Sequence, residues 1–449
     1  MATSGATTNG ADDGQVTGQQ WYWTALSAMA SYIDAGSIVA IAAGLALWAD
    51  YLSLSTATIG LLGAFGPNAM GAALGAVIGG RLGDKLGRKY IYQYDLLLYA
   101  FGTLWMVFAF NTPMLFIGTF LVGVAVGADV PTSLALVGEL APSKARGKLM
   151  GLTQVAWSLG PIITLVLALV LAPYGLLGIR IIFAHLFVVA MVTWYLRQGL
   201  TESATWTAAR NASGSEERDL LAAGRLRNLF SGYTLKAMVF TAVVYTFWNL
   251  AAGTYGFFLP YFLRELGASG QAGSVALQCL WFTTTLVFVV LVFMRFGDGR
   301  YRRLIWGVGS ACQIFAFLIF VFYPLDGPQG ASIAASIANV VLFGIGAAIA
   351  GEAHYKVWSQ EVFPTMLRTT AQGITFAFAR FCLGIWSFLV PVIAAAGFST
   401  VALILVIFLS ISGVVGFLFM PNTAGKSLEE LEAENYGGGP RPAVAESGA

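Results

Sequence analysis

Residues 79–90 read GGRLGDKLGRKY, with Asp84 the single acid among four basic residues, Arg81, Lys85, Arg88 and Lys89. Long apolar runs flank this stretch on both sides. A segment so short, so basic and so rich in glycine has no residues with which to build a core. It reads as a tight turn between two membrane-spanning helices, on the side of the membrane where positive charge collects.

The whole chain agrees. Of 449 residues, 57% are hydrophobic and 10% charged. No soluble domain buries that much apolar surface, so the fold class is an all-α polytopic membrane protein. The net charge of +2 is spread over short loops rather than gathered in one tract, which argues against a nucleic-acid partner. Cys279, Cys312 and Cys382 lie far apart in apolar runs, as small buried side chains do, and make no disulfide framework. His185 and His354 are the only histidines. No Cys/His metal spacing exists, so neither metal nor other cofactor is expected.

Apolar runs of about 20 residues, the length that crosses a bilayer, fall near 23–48, 57–80, 91–110, 114–138, 149–171 and 177–197. Six more fall near 236–263, 272–294, 303–323, 331–358, 369–393 and 398–420. The expected organisation is a tail at 1–22, a six-helix bundle at 23–197, a linker at 198–235, a second bundle at 236–420 and a tail at 421–449. The first residues lack the basic start and apolar core of a cleaved signal. With both termini cytoplasmic, every one of the 24 Lys and Arg residues lies in an inner loop, tail or linker except Arg180, Arg264, Lys356 and Arg380. That asymmetry predicts a multi-pass protein of the plasma (cell inner) membrane with both ends inside.

The halves repeat. Arg81-x2-Asp84-x3-Arg88-Lys89 follows the second run, and Arg295-x2-Asp298-x3-Arg302-Arg303 follows the eighth. Glu139-x2-Pro142-x3-Arg146 follows the fourth, and Glu361-x2-Pro364-x3-Arg368 the tenth. Two motifs recurring in one order predict duplicated six-helix bundles, which in transporters hold substrate between them and rock about it.

At these residues the chain resembles the major facilitator superfamily, and within it the sugar porter group. The carriers are the 79–90 loop, its copy at Asp298–Arg303, GELAPSKARGKLMG at 138–151, GLTESATW at 199–206, QEVFPTMLR at 360–368 and NTAGKSLEELE at 422–432. YIDAGSIVA at 32–40 and VGADVPTS at 126–133 are similar to bacterial inositol transporters of this group. The resemblance implies twelve transmembrane helices in two pseudo-symmetric bundles. It also implies gating by Gly80, Asp84, Gly87, Arg88, Glu139, Arg146, Asp298, Arg302, Glu361 and Arg368. In it, Asp84 latches the outward-facing state with Arg88 and Arg146, and the glycine stripe Gly71, Gly75, Gly79, Gly83 and Gly87 slides on the eleventh helix. The stripe by itself says only that another helix approaches closely.

There are departures. Phe247 and Trp248 stand where sugar porters keep a hexose-binding Gln-Gln. Lys356 and Arg380 stand where they keep tryptophans, and Thr119 where a fourth-helix arginine partners the first-helix acid. Gln154 matches the sugar-contacting glutamine of the fifth helix. A hexose is therefore a poorer fit than the group name suggests.

The candidate site residues follow from charge in apolar surroundings. Asp34 lies within the first span, at a cost of roughly 3 kcal/mol, so it faces a cavity or a partner. Burial favours the neutral form of a carboxyl, which suits a proton carrier, but a packing role is open. Asp129 sits beside Gly127 and Pro131. It reads either as part of the coupling site or as a bond to backbone freed by the proline. Glu352 and Lys356 share a helix face. With Arg380 they suit polyol hydroxyls, a carboxylate, or merely a structural pair. Gln154, Trp157, Tyr245 and Asn249 suit a neutral polyhydroxylated ligand, with Gln278 and Asn68 weaker, and Trp157 and Trp248 equally open to a packing role. Gly425-Lys426-Ser427 lacks the earlier glycine of a phosphate loop, since residue 420 is Met420. Residues 215–230 read as a basic amphipathic helix.

No nucleophile–base or metal constellation appears, so the chain is not expected to be an enzyme. The expected function is proton-driven import of a small polyol or sugar, myo-inositol first. An organic-anion symporter, an uncoupled facilitator and, remotely, a nutrient sensor are the alternatives. The expected partners are a small-molecule substrate, protons and the bilayer, with no obligate protein partner.

Overall fold

The computed structural model describes residues 15–67, 69–211, 226–265, 271–323, 333–394 and 397–436. Asn68 and most of the 215–230 segment lie outside them, and Leu226–Phe230 forms one 3₁₀ turn. All regular elements among the described residues are helical. Those of the first half are α1 (Gly18–Leu52), α2 (Met70–Leu86, preceded by the short helix Thr56–Phe65), α3 (Arg88–Val107), α4 (Thr112–Leu140), α5 (Arg146–Val170) and α6 (Leu176–Arg197). Those of the second are α7 (Gly232–Glu265), α8 (Gln271–Phe288, continued by a π-helical turn at Val289–Phe293), α9 (Arg302–Phe322), α10 (Ile333–Ile349 and Glu352–Glu361), α11 (Arg368–Ala394) and α12 (Phe398–Leu418).

Eleven helical stretches among the described residues are long and apolar enough to cross a membrane. The element that falls short is α3, whose first half carries Arg88, Lys89, Gln93 and Asp95. It still packs between α4 and α6 within the bundle. Its polar groups are turned inward: Arg88 and Asp95 are buried, while Tyr94 and Phe101 are exposed. Elsewhere too the outward faces are apolar, as at Leu74, Val77 and Ile78 of α2, while charge is buried between helices. This is a multi-pass membrane protein.

The glycine stripe lies only in part where the resemblance put it: a Cβ on Gly83 would stand 3.3 Å from both Thr369 of α11 and Thr132 of α4, but its other members turn elsewhere. A Cβ on Gly75 would stand 2.0 Å from the Val124 carbonyl, and one on Gly79 2.4 Å from Ala128, both in α4 of the same half. The adjacent edge of α2 meets α11 instead: a Cβ on Gly80 would stand 2.5 Å from the Thr369 carbonyl, and Gly373 packs against the Ala76 carbonyl. Residues spaced by four drift slowly around a helix, so one α2 serves two neighbours with two offset rows of small residues. Gly87 serves neither. It has φ +100° and turns the chain from α2 into α3.

The related contact joins α5 of the first half to the end of α8 of the second, where Gly151 admits Met294 just beyond the π-helical turn. The halves therefore meet along α2–α11 and α5–α8. Gly75→Val would drive a side chain into the α4 backbone, with the ~1–3 kcal/mol cost of overpacking as a lower bound. Thermal unfolding of the solubilised protein checks this: the melting temperature falls for Gly75→Val and is unchanged for Leu74→Val on the exposed neighbour.

Candidate functional site

Two sets of buried charge organise the interface. The first lies at the end that carries Arg81, Lys85 and Lys144, the basic face. Here the repeated motifs build two related quartets. In one, Arg88 donates to Asp84 at 3.3 Å and to Glu139 at 2.7 Å, and Arg368 from the other half donates to Glu139 at 3.0 Å. In the other, Arg302 donates to Glu361 at 2.9 Å and lies 3.7 Å from Asp298, and Arg146 from the first half donates to Glu361 at 3.1 Å. Each quartet holds two acids and two arginines, and each half lends the other one arginine. Arg146 thus pairs with Glu361, not with Asp84 as the resemblance implied, because α5 begins against the loop that precedes α9.

The two aspartates act on helix ends. Asp84 accepts from the N–H groups of Thr369 and Thr370 at 3.3 and 2.7 Å, at the start of α11. Asp298 accepts from those of Gly147 and Lys148 at 2.6 and 3.1 Å, at the start of α5. A helix start has unpaired N–H donors and a positive dipole end, so an acid from the opposite half is a favourable cap. Burial pushes the Asp298 carboxyl above the ordinary range, against the opposing pull of the Gly147 amide and Arg302.

The resemblance pointed to GLTESATW only as a signature. In the structure, Glu202 accepts from the backbone of Arg88 and Lys89 at 3.0 and 3.1 Å and caps α3. Gly87 leaves room for it, since a Cβ there would stand 2.2 Å from Glu202 Oε2. Trp206 donates to the Asp84 carbonyl at 2.9 Å. In the second half, Thr423 of the tail donates to Glu361 at 2.6 Å.

The second set lies midway along the helices. A small cavity is lined by Trp157 and Pro161, by Trp248, Asn249 and Gly253, by Trp281 and Phe282, and by Glu352 and Arg380. It takes walls from both halves. The break in α10 shapes it. Gly351 has φ +144°, and its missing Cβ admits the Trp248 indole, which donates to Gln313 at 2.9 Å. Gln313 in turn donates to the Ala350 carbonyl freed by the break at 2.6 Å. Glu352 then opens the second segment, where an acid suits the helix dipole.

Four charges meet there. Arg380 donates to Asp34 Oδ2 at 3.2 Å, across the halves. Lys356 lies 3.7 Å from Glu352. It also donates to Gln154 at 3.0 Å and Ser31 at 3.4 Å, again across the halves. Asp34 Oδ1, Glu352 Oε2, Asn249 Oδ1 and the Trp157 and Trp281 indole nitrogens are buried with no hydrogen-bond partner among the described residues.

Of the expected substrate residues, Trp157, Asn249, Glu352 and Arg380 line the cavity, and Gln154 and Lys356 join them from behind. Tyr245 and Gln278 are not among the lining residues. Tyr245 stacks on Tyr355 with centroids 3.9 Å apart, and Gln278 donates to the Gly256 carbonyl at 2.6 Å. Trp281 and Phe282 were missed. Their signal was helical spacing: they lie three and four residues after Gln278.

Asp129 belongs to a third place. It receives Arg197 at 2.9 and 3.0 Å and Ser133 at 2.5 Å, with Asp95 4.0 Å from the same guanidinium. Arg197 also donates to the Leu26 and Ser27 carbonyls of α1. This knot ties α1, α3, α4 and α6 inside the first half, a partner that neither reading of Asp129 named.

Two six-helix bundles with paired charge quartets at one face and a shared polar–aromatic cavity midway define a secondary transporter of the major facilitator fold. Residues 48–434 match the model of the Sugar (and other) transporter family, and the chain belongs to that family. It is 40% identical over 417 residues to the Minor myo-inositol transporter IolF of Bacillus subtilis (strain 168), covering 92% of this chain and 94% of that one. It is 25% identical over 403 residues to Probable polyol transporter 4 of Arabidopsis thaliana, covering 78% and 73%. Among solved structures, the proton:xylose symporter XylE bound to 6-bromo-6-deoxy-D-glucose superposes with a TM-score of 0.79 at 18% identity, over 93% of this chain and 99% of that one.

Removing one carboxylate of a quartet leaves two buried arginines short of a partner. Glu361→Gln is expected to destabilise the protein by about 3–5 kcal/mol. Thermal unfolding of the purified variant reads this as a large drop in melting temperature. Glu434→Gln, whose exposed carboxylate pairs with the half-buried Lys426, leaves it unchanged.

Proposed function

We propose that this transporter imports a small neutral polyol, myo-inositol, by proton symport, with both ends of the chain cytoplasmic and the basic face inward. The observation that carries the reading is the cavity itself. Aromatic faces surround a rim of buried polar atoms with no hydrogen-bond partner among the described residues, and the full charges that the described residues place there balance, Asp34 and Glu352 against Lys356 and Arg380. A ring of hydroxyls meets both needs: C–H groups on the indoles of Trp157, Trp248 and Trp281, hydroxyls on Asn249, Glu352 and Arg380. The 40% identity to a myo-inositol transporter supports the same choice.

In this reading Asp34 takes the proton. Its partner differs from the one the resemblance implied, since Thr119 bonds the Leu115 carbonyl of its own helix and Arg380 supplies the cation. Gln154 and Lys356 form the floor. Tyr245 and Gln278 hold the wall from behind. Asp129 positions α4 through Arg197 rather than carrying the proton. The basic-face quartets close the inward path; their loss opens it as the halves rock. Coupling requires that proton and polyol each favour the other's binding, and linkage makes that reciprocal.

The test is uptake of labelled myo-inositol by cells expressing the chain. Accumulation above the external level is expected, collapsing with a protonophore and blocked by unlabelled inositol but not by glucose or glucuronate. Asp34→Asn is expected to abolish accumulation and spare counterflow exchange. Competition by glucuronate alone would move the substrate to organic anions. Equilibration indifferent to the protonophore would make the chain a facilitator.

A further inference from the structure

We propose that Arg380 is a proton-controlled tie between the two halves, passed from Asp34 on the first half to Glu352 on its own half when Asp34 is protonated. The proposal rests on the reading of Asp34 as the proton site and adds what the proton does there. Asp34 belongs to α1 and Arg380 to α11, so their 3.2 Å contact pins one bundle to the other midway along the helices. Thr119 is engaged within its own helix, so no cation from α4 competes for the carboxylate.

The two oxygens of Asp34 are unequal. Oδ2 accepts from Arg380, and Oδ1 has no hydrogen-bond partner among the described residues. A proton arriving at Oδ1 therefore breaks no existing bond and cancels the charge that holds the guanidinium. A guanidinium does not lose its own proton, so its charge has to find another acid. Glu352 lines the same cavity as Arg380, on the same half, and its Oε2 has no hydrogen-bond partner among the described residues. The transfer turns an inter-half ion pair into an intra-half one. Among the described residues, the remaining charged or titratable neighbours of Asp34 are Lys356, Tyr99 and Tyr245. Lys356 keeps its bonds to Gln154 and Ser31, so one cross-half contact persists and only the other responds to the proton.

The tie predicts that proton binding alone, without substrate, shifts the balance between arrangements of the halves. The probe is a pair of spin labels at Tyr174→Cys and Tyr323→Cys, one in each half, both exposed and both away from the basic face, in full-length protein with Cys279, Cys312 and Cys382 replaced by serine. Distances are read by double electron–electron resonance in lipid nanodiscs as pH is varied. The wild-type distribution is expected to shift with pH. Asp34→Asn is expected to give the low-pH distribution at every pH, and Arg380→Gln to be equally insensitive. Arg380→Lys, which keeps a cation, is expected to retain the shift, and serves if Arg380→Gln does not fold.

A wild-type distribution that ignores pH overturns the proposal. So does a wild-type shift that survives in Asp34→Asn or Arg380→Gln, or that is lost in Arg380→Lys. No substrate enters the measurement, so a chain that carries something other than myo-inositol leaves these outcomes unaltered.

Discussion

A charge buried midway along a membrane helix has to be answered by another charge, and the rest of this structure follows from how that is done. Asp34, Glu352, Lys356 and Arg380 come from three helices and both bundles, and none can be stable there alone. Their mutual compensation fixes how α1, α10 and α11 face one another. It also leaves a neutral, polar, aromatic cavity instead of a dry contact. The break at Gly351 is part of the same solution. Only a residue without a Cβ lets Trp248 approach, and the turned second segment brings Glu352 and Lys356 to the interface.

The basic face repeats the principle with a different purpose. Duplicated motifs give each half an aspartate, a glutamate and two arginines, and each half sends one arginine across. The aspartates cap helix starts that belong to the opposite half. The crossing bonds of Arg146 and Arg368 and the two helix caps are lost if the halves part at that end, while Arg88 and Arg302 keep the acids of their own half. Buried pairs of this kind add little net stability over apolar packing, but they are costly to break singly. They suit a closure that is either complete or absent. The knot of Arg197 with Asp129 and Asp95 has another character: all its partners lie in one half, so rocking leaves it intact.

Much of this was legible in the sequence because it rests on local pattern. Span length, basic loops and the spacing of Asp84–Arg88 against Asp298–Arg302 are one-dimensional signals, and they led to the right bundle organisation. Residue pairing across the interface was not legible. The resemblance matched Arg146 to Asp84 and the whole glycine stripe to α11, and the residues themselves offered no check, because spacing along a chain says that a residue is small or charged, not which neighbour it meets. Asp34 was found from its cost in an apolar run, and Arg380 was noticed for the same reason. That they meet depends on how the fold sets α1 and α11 around the one cavity, with the two residues 346 positions apart in the chain. Trp281 was hidden in a helix of ordinary aromatic composition.

The central claim is that substrate and proton move together through one site. It is tested most directly by reconstituting the purified protein in liposomes with an entrapped pH-sensitive dye and no imposed ion gradient. Adding myo-inositol outside should acidify the lumen as labelled inositol enters, with both signals absent in Asp34→Asn. Entry of inositol without any change in lumenal pH would contradict the account.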